Sequence, residues 1–163
     1  MRGRIHQINV KPATPGEHGL PKWPVESAQI TRAGLLGDFN IYRHESRHDD
    51  PDSAVLLMSL ETLEQLNAEG WPLRPGDIGE NFTTAGIPYA RFSPGKTFRL
   101  GTAEVQISRA CKPCTNLYLL PYVGVEKGPG FLKVMLDRRG WYARVLKEGR
   151  AKKGDSIEEL SPT

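Results

Sequence analysis

Glycine and proline recur along this whole sequence and limit how long any helix or strand can be. The chain has 17 glycines and 13 prolines among 163 residues, almost a fifth of the total, and they are not gathered in one tail. Proline ends helices and interrupts sheet pairing, while glycine favours turns and bends. We therefore predict short elements joined by many turns, within a single domain that spans residues 1–163.

Short apolar segments between these turns predict a mainly β protein. Candidate strands lie at residues 4–10, 27–31 and 54–58, and a loop rich in proline and glycine occupies residues 11–24. The apolar run at 54–58 is typical of a buried strand. These segments are too short for amphipathic helices, so strands are the favoured interpretation.

Two pairs of segments predict β-hairpins. Residues 96–100 and 104–109 alternate apolar and polar side chains on either side of a Gly-Thr turn. A second hairpin is predicted from residues 141–146 and 156–160, with a Glu-Gly turn after the first segment. Strands that follow one another at such spacing favour a closed or nearly closed β-barrel over an alternating βαβ array. Closure would also remove exposed strand edges.

One helix is predicted directly after the strand at 54–58. Ser59 is a typical N-cap, and Leu60, Leu63 and Leu66 follow at helical spacing. Gly70 is expected to end the helix, because glycine is favoured just past a helix C-terminus. Prolines follow closely and prevent its continuation.

Charge and apolar content exclude several classes of protein. The chain has 22 basic and 19 acidic residues, a formal net charge of +3, and no long run of like charges. This balance indicates no nucleic-acid partner, although a local basic pocket for a small anion is compatible with it. No apolar stretch approaches the roughly 20 residues that span a bilayer, and the basic N-terminus lacks the apolar segment of a signal peptide. With two cysteines in a chain of this length, we expect a reduced, cytoplasmic protein. We expect no membrane partner.

The segment that says most about chemistry is Arg-Ala-Cys-Lys-Pro-Cys at residues 109–114. It follows a predicted strand, and functional sites commonly lie in loops at strand ends. Arg109 and Lys112 are cations that favour the thiolate form of a nearby cysteine, and the intervening proline stiffens the backbone. We predict that Cys114 carries the chemistry, with Cys111 as a second candidate. The alternative is that both cysteines are small buried hydrophobic residues.

Cys111 and Cys114 form a C-x-x-C pair, a spacing found in zinc sites and redox dithiols. Zinc would need two further ligands, which His44 and His48 could supply. Their segment is a polar loop, however, and the sequence has no second C-x-x-C pair. A thioredoxin-like dithiol would need a βαβ context, which is not predicted. Zinc and a redox dithiol are therefore the less favoured interpretations.

Two further segments have the features of anion-binding loops. Residues 75–84 contain glycine turns whose backbone N–H groups can point at a ligand, followed by side chains that donate and accept hydrogen bonds. Residues 137–142 place two arginines beside a glycine, which can clamp a phosphate. For each segment taken alone, an ordinary turn is the favoured interpretation. The candidate binding residues in them are Gly79, Glu80, Asn81, Phe82, Thr83, Thr84 and Arg139.

In combination these segments resemble the MOSC family, named after the C-terminal domain of molybdenum cofactor sulfurases. The resemblance extends over most of the chain, from about residue 4 to residue 160. It implies a MOSC-like β-barrel with a few short helices and a pocket for a molybdopterin-type cofactor. The matching features are Gly34-Leu35-Leu36-Gly37-Asp38, Ala54-Val55-Leu56, residues 76–84, Lys112-Pro113-Cys114, Arg139-Gly140-Trp141-Tyr142 and Gly154-Asp155.

The resemblance also implies what the residues do. In the family, the cysteine of the Pro-Cys pair is the functional thiol, which carries sulfur as a persulfide or ligates molybdenum; here it is Cys114. The residues that would contact the cofactor are residues 79–84, Arg109, Lys112, Arg139 and His48.

Three functions follow as alternatives from this resemblance. The first is a molybdenum cofactor-binding protein that reduces small N-oxygenated substrates or moves sulfur; a reductase would need a separate electron donor, because no flavin, haem or iron–sulfur signature is present. The second needs no molybdenum: Cys114 would carry persulfide sulfur from a separate pyridoxal-phosphate cysteine desulfurase, or cleave a carbon–sulfur bond. No part of this chain would hold pyridoxal phosphate itself. The third is a non-catalytic module that delivers cofactor to a larger enzyme.

The sequence departs from the family pattern in two places. Relatives often have His-Gly-Gly-Pro-Asp where this chain has His48-Asp49-Asp50-Pro51-Asp52, and the acidic side chains would repel a phosphate. Cys111 is an addition to the pattern. It could resolve a persulfide or sulfenate on Cys114, or it could serve packing alone.

Overall fold

The computed structural model describes residues 1–39 and 48–162. Its helices are α1 (Leu60–Ala68) and α2 (Gly124–Val134), and short 3-10 turns lie at Pro51–Ser53, Tyr89–Arg91 and Thr115–Leu119. Its strands are β1 (Arg2–Val10), β2 (Trp23–Val25), β3 (Ser27–Thr31), β4 (Gly34–Leu35), β5 (Val55–Ser59), β6 (Phe82–Ala85), β7 (Thr97–Leu100), β8 (Ala103–Ala110), β9 (Trp141–Lys147), β10 (Gly149–Lys152) and β11 (Ser156–Leu160).

Seven of these strands close into a barrel. Their order around it is β1, β6, β5, β9, β8, β7 and β11, and β11 pairs back onto β1. Barrel neighbours are antiparallel, except that β5 and β6 are parallel. Strand β2 pairs with the end of β1, and β10, β3 and β4 form a separate small sheet. The predictions of a mainly β fold and of a closed barrel are confirmed.

The barrel interior is filled by the alternating apolar residues of its strands. In β7 and β8, Phe98 lies opposite Val105 and Leu100 opposite Ala103, and all four are fully buried. The predicted hairpin at 96–109 is therefore confirmed. Alternation places one set of side chains inside and leaves the other set, such as Arg99, outside.

A second apolar cluster packs on the outside of the barrel. Helix α1 begins at the predicted N-cap, where Ser59 Oγ accepts a hydrogen bond from the Thr62 N–H at 3.1 Å. Leu63 and Leu66 of this helix are buried with Phe131 and Met135, which belong to α2 and the residues just after it. The predicted helix is confirmed, and it forms one wall of this cluster.

The predicted hairpin of residues 141–146 with 156–160 is wrong. Both segments are strands, β9 and β11, but they do not pair with each other. Strand β9 lies between β5 and β8, so both of its edges are occupied, while β11 closes the barrel between β7 and β1. The chain between them forms β10, which pairs with β3. Alternation predicted the strands but did not identify their partners.

Helix α2 has no counterpart among the predicted elements. It contains Pro129 and three glycines, which mask a helical pattern because both residue types are poor helix formers. Packing overrides that weak propensity: Phe131 is fully buried, and a Cβ at Gly128 would lie 2.2 Å from the Tyr118 ring. The close approach of α2 to the turn at Thr115–Leu119 thus depends on glycine at 128.

Candidate functional site

A cavity of about 210 Å³ lies where strand β8 ends. Cys111 and Cys114 line it, so the two predicted thiols share one cavity. Its lining also includes buried apolar side chains and exposed ones at the rim. The buried ones are Leu56, Ile78 and Tyr142, and the exposed ones include His18 and Lys112.

The end of strand β8 fixes the cysteine segment. Ala110 pairs with Trp141 in the β8–β9 ladder, and the next N–H, that of Cys111, donates to the Gly140 carbonyl at 2.9 Å. Cys111 is 6 % exposed and packs against Leu56 and Tyr142. Cys114 is half-buried and precedes the 3-10 turn at Thr115–Leu119. Both cysteines are free thiols.

Arg139 is a buried charge that lines the same cavity. Its residue is only 5 % exposed, and among the described residues its Nε and Nη1 atoms have no hydrogen-bond partner. Burial acts against the charge, but the acidic groups of Cys111 and Tyr142 outweigh burial and raise the pKa of Arg139; Cys114 acts in the same direction. A cation with two unused donors inside a cavity is suited to an anionic ligand.

The backbone beside Arg139 is held from both sides. The Gly140 N–H donates to the Tyr89 hydroxyl at 2.9 Å, and the Gly140 carbonyl accepts from Cys111. Gly140 has φ +105°, and a Cβ there would lie 2.7 Å from the Leu57 carbonyl oxygen, so glycine is required. Burial raises the pKa of Tyr89 to about 12. Tyr89 was missed in the sequence because nothing in its local pattern marks it.

Arg109 also lines the cavity, but its charge is already engaged. Its guanidinium lies 3.4 Å from the Asp50 carboxylate, hydrogen-bonds the Ser53 hydroxyl, and sits 5.2 Å from the centre of the Tyr142 ring. Asp50 is one of the acidic residues that replace a glycine of the family pattern. The Asp50 carboxylate therefore does two things: it adds negative charge near the cavity, and it pairs with the cavity cation Arg109.

The predicted residues 79–84 divide into one cavity residue and five that are fixed inside the protein. Gly79 lines the cavity. The other five are not part of its lining. Asn81 is 1 % exposed, and the remaining four are fully buried: Glu80, Phe82, Thr83 and Thr84. Phe82 belongs to the barrel core.

Asn81 supports the cavity from behind the lining. Its Oδ1 accepts from the Leu56 N–H at 3.1 Å, and its own N–H donates to the Leu56 carbonyl at 2.8 Å. Leu56 is a lining residue, so Asn81 fixes the part of β5 that faces the cavity. His48 has φ +48° and is not part of the lining.

Glu80 is a fully buried carboxyl group with one unused oxygen. Its Oε1 accepts from the Gly76 N–H at 2.6 Å and from the Thr83 hydroxyl at 2.9 Å, while Oε2 has no partner among the described residues. Burial raises the pKa of Glu80, and these hydrogen bonds oppose that rise. The charge of Arg139 also opposes the rise in the pKa of Glu80, although the described residues include no ion pair between the two side chains.

Lys22 is a residue of the cavity lining that the sequence did not reveal. Its ammonium lies 2.6 Å from the Asp38 carboxylate, and both side chains are at most 5 % exposed. Asp38 also accepts from Asn81 Nδ2 at 2.8 Å. Burial lowers the pKa of Lys22, and Asp38 opposes the shift. Lys22 therefore has a buried ion-pair partner, whereas Arg139 has none among the described residues.

The described residues, 1–39 and 48–162, contain no group of three or more histidine, cysteine, aspartate or glutamate side chains placed to hold a metal ion. His44, the other zinc ligand considered, lies outside the described residues. In the described part of the chain, no helix has the length and apolar character needed to cross a membrane.

The structure thus combines a closed β-barrel with a cavity that is lined by thiols and cations at the end of a strand. The sequence model of the MOSC domain matches residues 44–158. The uncharacterized protein YflK of Bacillus subtilis (strain 168) is 35 % identical over 150 residues, covering 89 % of this chain and 64 % of YflK. The chain belongs to the MOSC domain family. It spans just under two thirds of the length of this relative.

Solved structures share the fold. The YuaD protein from Bacillus subtilis has a TM-score of 0.84 at 16 % identity and covers 100 % of this chain and 98 % of its own. YiiM from Geobacillus stearothermophilus has a TM-score of 0.73 at 26 % identity, covering 98 % and 75 %. YiiM from Escherichia coli has a TM-score of 0.72 at 21 % identity, covering 100 % and 71 %. MOSC domains are generally linked to molybdenum cofactor binding and sulfur transfer.

Proposed function

We propose that the cavity binds the molybdenum cofactor, with Cys114 as ligand to molybdenum or as sulfur carrier and Arg139 as the cation that meets the anionic group. The observation that carries this proposal is the buried guanidinium of Arg139, whose Nε and Nη1 lack partners among the described residues while it shares a cavity with two free thiols. Burial alone disfavours a guanidinium whose hydrogen-bond donors lack partners. A bound anion would offset that cost.

The donor set suits a molybdopterin-type cofactor. Such a cofactor is anionic and rich in sulfur, and a guanidinium can donate two parallel hydrogen bonds to an anion. A thiolate is a soft ligand for a metal that already has sulfur ligands. Small-molecule pockets commonly measure about 300–1,000 Å³, so this cavity of about 210 Å³ suits one end of the cofactor. Because His18 and Lys112 at the rim of the cavity are exposed, the rest of the cofactor can extend into solvent.

The chain's own residues bind and orient. Cys114 offers its sulfur from a segment that Pro113 and the β8–β9 ladder hold in place. Arg139 holds the anionic group, and Tyr89 and Cys111 fix the Gly140 peptide beside it. Leu56, Ile78 and Tyr142 exclude water from the floor. When bound, the cofactor would supply redox chemistry at molybdenum.

We infer two activities that this site would serve. One is reduction of a small N-oxygenated substrate, for which a separate electron donor is needed. The other is sulfur transfer, in which Cys114 accepts sulfur without molybdenum from a separate pyridoxal-phosphate cysteine desulfurase. Cys111 in the same cavity favours the second activity, because a second thiol can act on sulfur bound to the first.

The test is to purify the protein from a molybdenum-replete host and to measure its molybdenum and pterin content. Wild type is expected to retain both, and Cys114→Ala is expected to lose molybdenum. Cys111→Ala is the matched control, because it removes a thiol from the same cavity and should keep the metal. Equal molybdenum in wild type and Cys114→Ala would contradict the proposal. Bound pterin without turnover of N-oxygenated substrates would favour cofactor delivery.

A further inference from the structure

We propose that Cys111 is a resolving thiol, which attacks a persulfide on Cys114 and releases its outer sulfur as hydrosulfide. This inference rests on Cys114 being the reactive thiol of the cavity, as in the proposed function, but it requires no molybdenum. It assigns to Cys111 a chemical role in addition to its packing against Leu56 and Tyr142.

The two sulfurs share one compartment. Both cysteines line the same cavity, and two residues separate them in the chain. The Cys111 backbone is fixed by its N–H donation to the Gly140 carbonyl at 2.9 Å. Its Sγ lies 3.8 Å from the Lys112 carbonyl oxygen, next to the Lys112–Pro113 peptide that leads directly to Cys114. The second thiol is thus held beside the segment that carries the first.

Burial sets the order in which the two thiols react. Cys114 is half-buried, whereas Cys111 is 6 % exposed. A sulfur donor from solvent therefore meets Cys114 first, because thiol exchange requires access to the attacking sulfur. Cys111 exposes less of its surface than Cys114 but lines the same cavity. This asymmetry distinguishes a carrier thiol from a resolving thiol.

Arg139 is an independent reason to assign reactivity to the pair. It is 5 % exposed, lines the same cavity, and keeps Nε and Nη1 without partners among the described residues. A nearby cation favours the thiolate, which is the attacking form of cysteine. The guanidinium lines the cavity together with both Cys111 and Cys114, so a thiolate formed at either residue would have a cation in the same cavity.

The reaction balances without an additional oxidant. An inorganic polysulfide is the sulfur donor: Cys114 Sγ attacks it, a sulfur–sulfur bond of the donor breaks, and a shorter polysulfide anion leaves. The Cys111 thiol then loses its proton to solvent, and its thiolate attacks Cys114 Sγ. A bond forms between the two cysteine sulfurs, and the bond to the outer sulfur breaks. That sulfur takes the electron pair and leaves as hydrosulfide, so it is reduced while the cysteine pair is oxidised. An external thiol then reduces the disulfide.

The experiment uses the full chain purified without molybdenum and treated with inorganic polysulfide, after which excess donor is removed. Released sulfide and the masses of the peptides that contain the cysteines are measured. Wild type is expected to release sulfide and to form the Cys111–Cys114 disulfide. Cys111→Ser and Cys111→Ala are expected to lose this release and to keep one extra sulfur atom on Cys114. The alanine variant has no buried hydroxyl, so agreement between the two variants excludes an effect of the serine hydroxyl.

Three outcomes would overturn the inference. A persulfide that persists on Cys114 of wild type as long as in both Cys111 variants would show that Cys111 only packs, and cofactor binding through Cys114 would still stand. Sulfur found on Cys111 would show transfer between the thiols instead of resolution. Sulfur on neither cysteine in any of these proteins would refute the reactivity of Cys114, and with it the sulfur-transfer part of the proposed function.

Discussion

Arg139 combines two properties that seldom occur together in one residue. It carries a charge while 5 % exposed, and its Nε and Nη1 atoms lack partners among the described residues. Buried charges are usually paired, as Lys22 is with Asp38 at 2.6 Å. The contrast between these two cavity cations indicates that one supports the wall and the other is available to a ligand.

Replacing Arg139 should therefore separate stability from binding. In Arg139→Met the unpaired charge is gone, so we expect a thermal midpoint at least as high as that of wild type. We expect inorganic phosphate to stabilise wild type by binding to the folded state, and we expect this stabilisation to disappear in the variant. Thermal denaturation with and without phosphate measures both effects.

The matched control for this prediction is Arg138→Met. Arg138 precedes Arg139 and donates to the Glu69 carboxylate at 2.5 Å, away from the cavity lining. The Arg138→Met variant removes the same charge at the preceding residue and should still be stabilised by phosphate. An unchanged phosphate effect in Arg139→Met would contradict the assignment of this residue.

Asp50 sets how much of the Arg109 charge a ligand can use. In Asp50→Asn the carboxylate 3.4 Å from Arg109 becomes neutral, while an Oδ1 acceptor remains for the Asp52 N–H that caps the 3-10 turn. A part-exposed pair of this kind contributes about 0.5 kcal/mol, so anion affinity should rise roughly twofold. Calorimetric titration with inorganic phosphate measures the change.

Asp52→Asn provides the control for the Asp50 prediction. It removes the same charge two residues away and neutralises the carboxylate that lies 2.9 Å from Arg144, which is not part of the cavity lining. Its affinity should stay at the wild-type value, and high salt should weaken the Asp50 effect. Equal increases in both variants would mean that the net charge of the loop, and not Arg109, sets the affinity.

At the scale of elements, helix α2 depends on one of its glycines and not on another. A Cβ at Gly128 would lie 2.2 Å from the Tyr118 ring, whereas a Cβ at Gly130 would meet nothing within 4 Å. Gly130→Ala should stabilise the protein by about 0.5–1 kcal/mol, because alanine is the better helix former. Gly128→Ala should destabilise it by roughly 1–3 kcal/mol, because the ring must move within a packed cluster. Urea denaturation of the two variants gives both signs, and a gain in both would show that the ring yields freely.

Sequence predicts elements better than it predicts their partners. Strands β7 and β8 and helix α1 follow from alternation, an N-cap and leucine spacing, which are local signals. The pairing of β11 with β7 and β1 is set by barrel closure, which no local pattern records. Helix α2 exists because of packing against Tyr118, against the propensity of its own residues.

The candidate site follows the same division. The segment at 109–114 and Arg139 are visible in the sequence as chemically suitable residues close to turns. Tyr89 and Lys22 are not, because they come from distant elements and become relevant only when the barrel closes. Residues 80–84 resemble an anion-binding loop, yet the fold uses their polar atoms for internal hydrogen bonds, such as Thr83 to Glu80 at 2.9 Å.

At the scale of the whole molecule, the barrel and the outer cluster meet at the loop that carries Glu80. Its Oε1 accepts from Gly76 and Thr83, and Thr83 belongs to β6 of the barrel. Ile78, two residues earlier, belongs to the outer cluster and lines the cavity. The protonation state of this carboxyl should therefore affect global stability.

The pH dependence of unfolding tests this coupling. Burial raises the pKa of Glu80 above its ordinary 4.5 in the folded protein, so the folded state keeps a proton that the unfolded state loses. The stability linked to Glu80 is complete below its unfolded pKa and falls as pH rises through the folded value. In Glu80→Gln this loss should vanish, and the difference in unfolding free energy between wild type and variant should shift in favour of the variant as pH rises.

Glu159→Gln should show the opposite sign, because Arg91 and Lys96 lower the pKa of Glu159. Urea denaturation above pH 4.5 measures the Glu80 slope, and below pH 4.5 it measures the Glu159 slope. A parallel pH profile for wild type and Glu80→Gln above pH 4.5 would contradict the raised pKa.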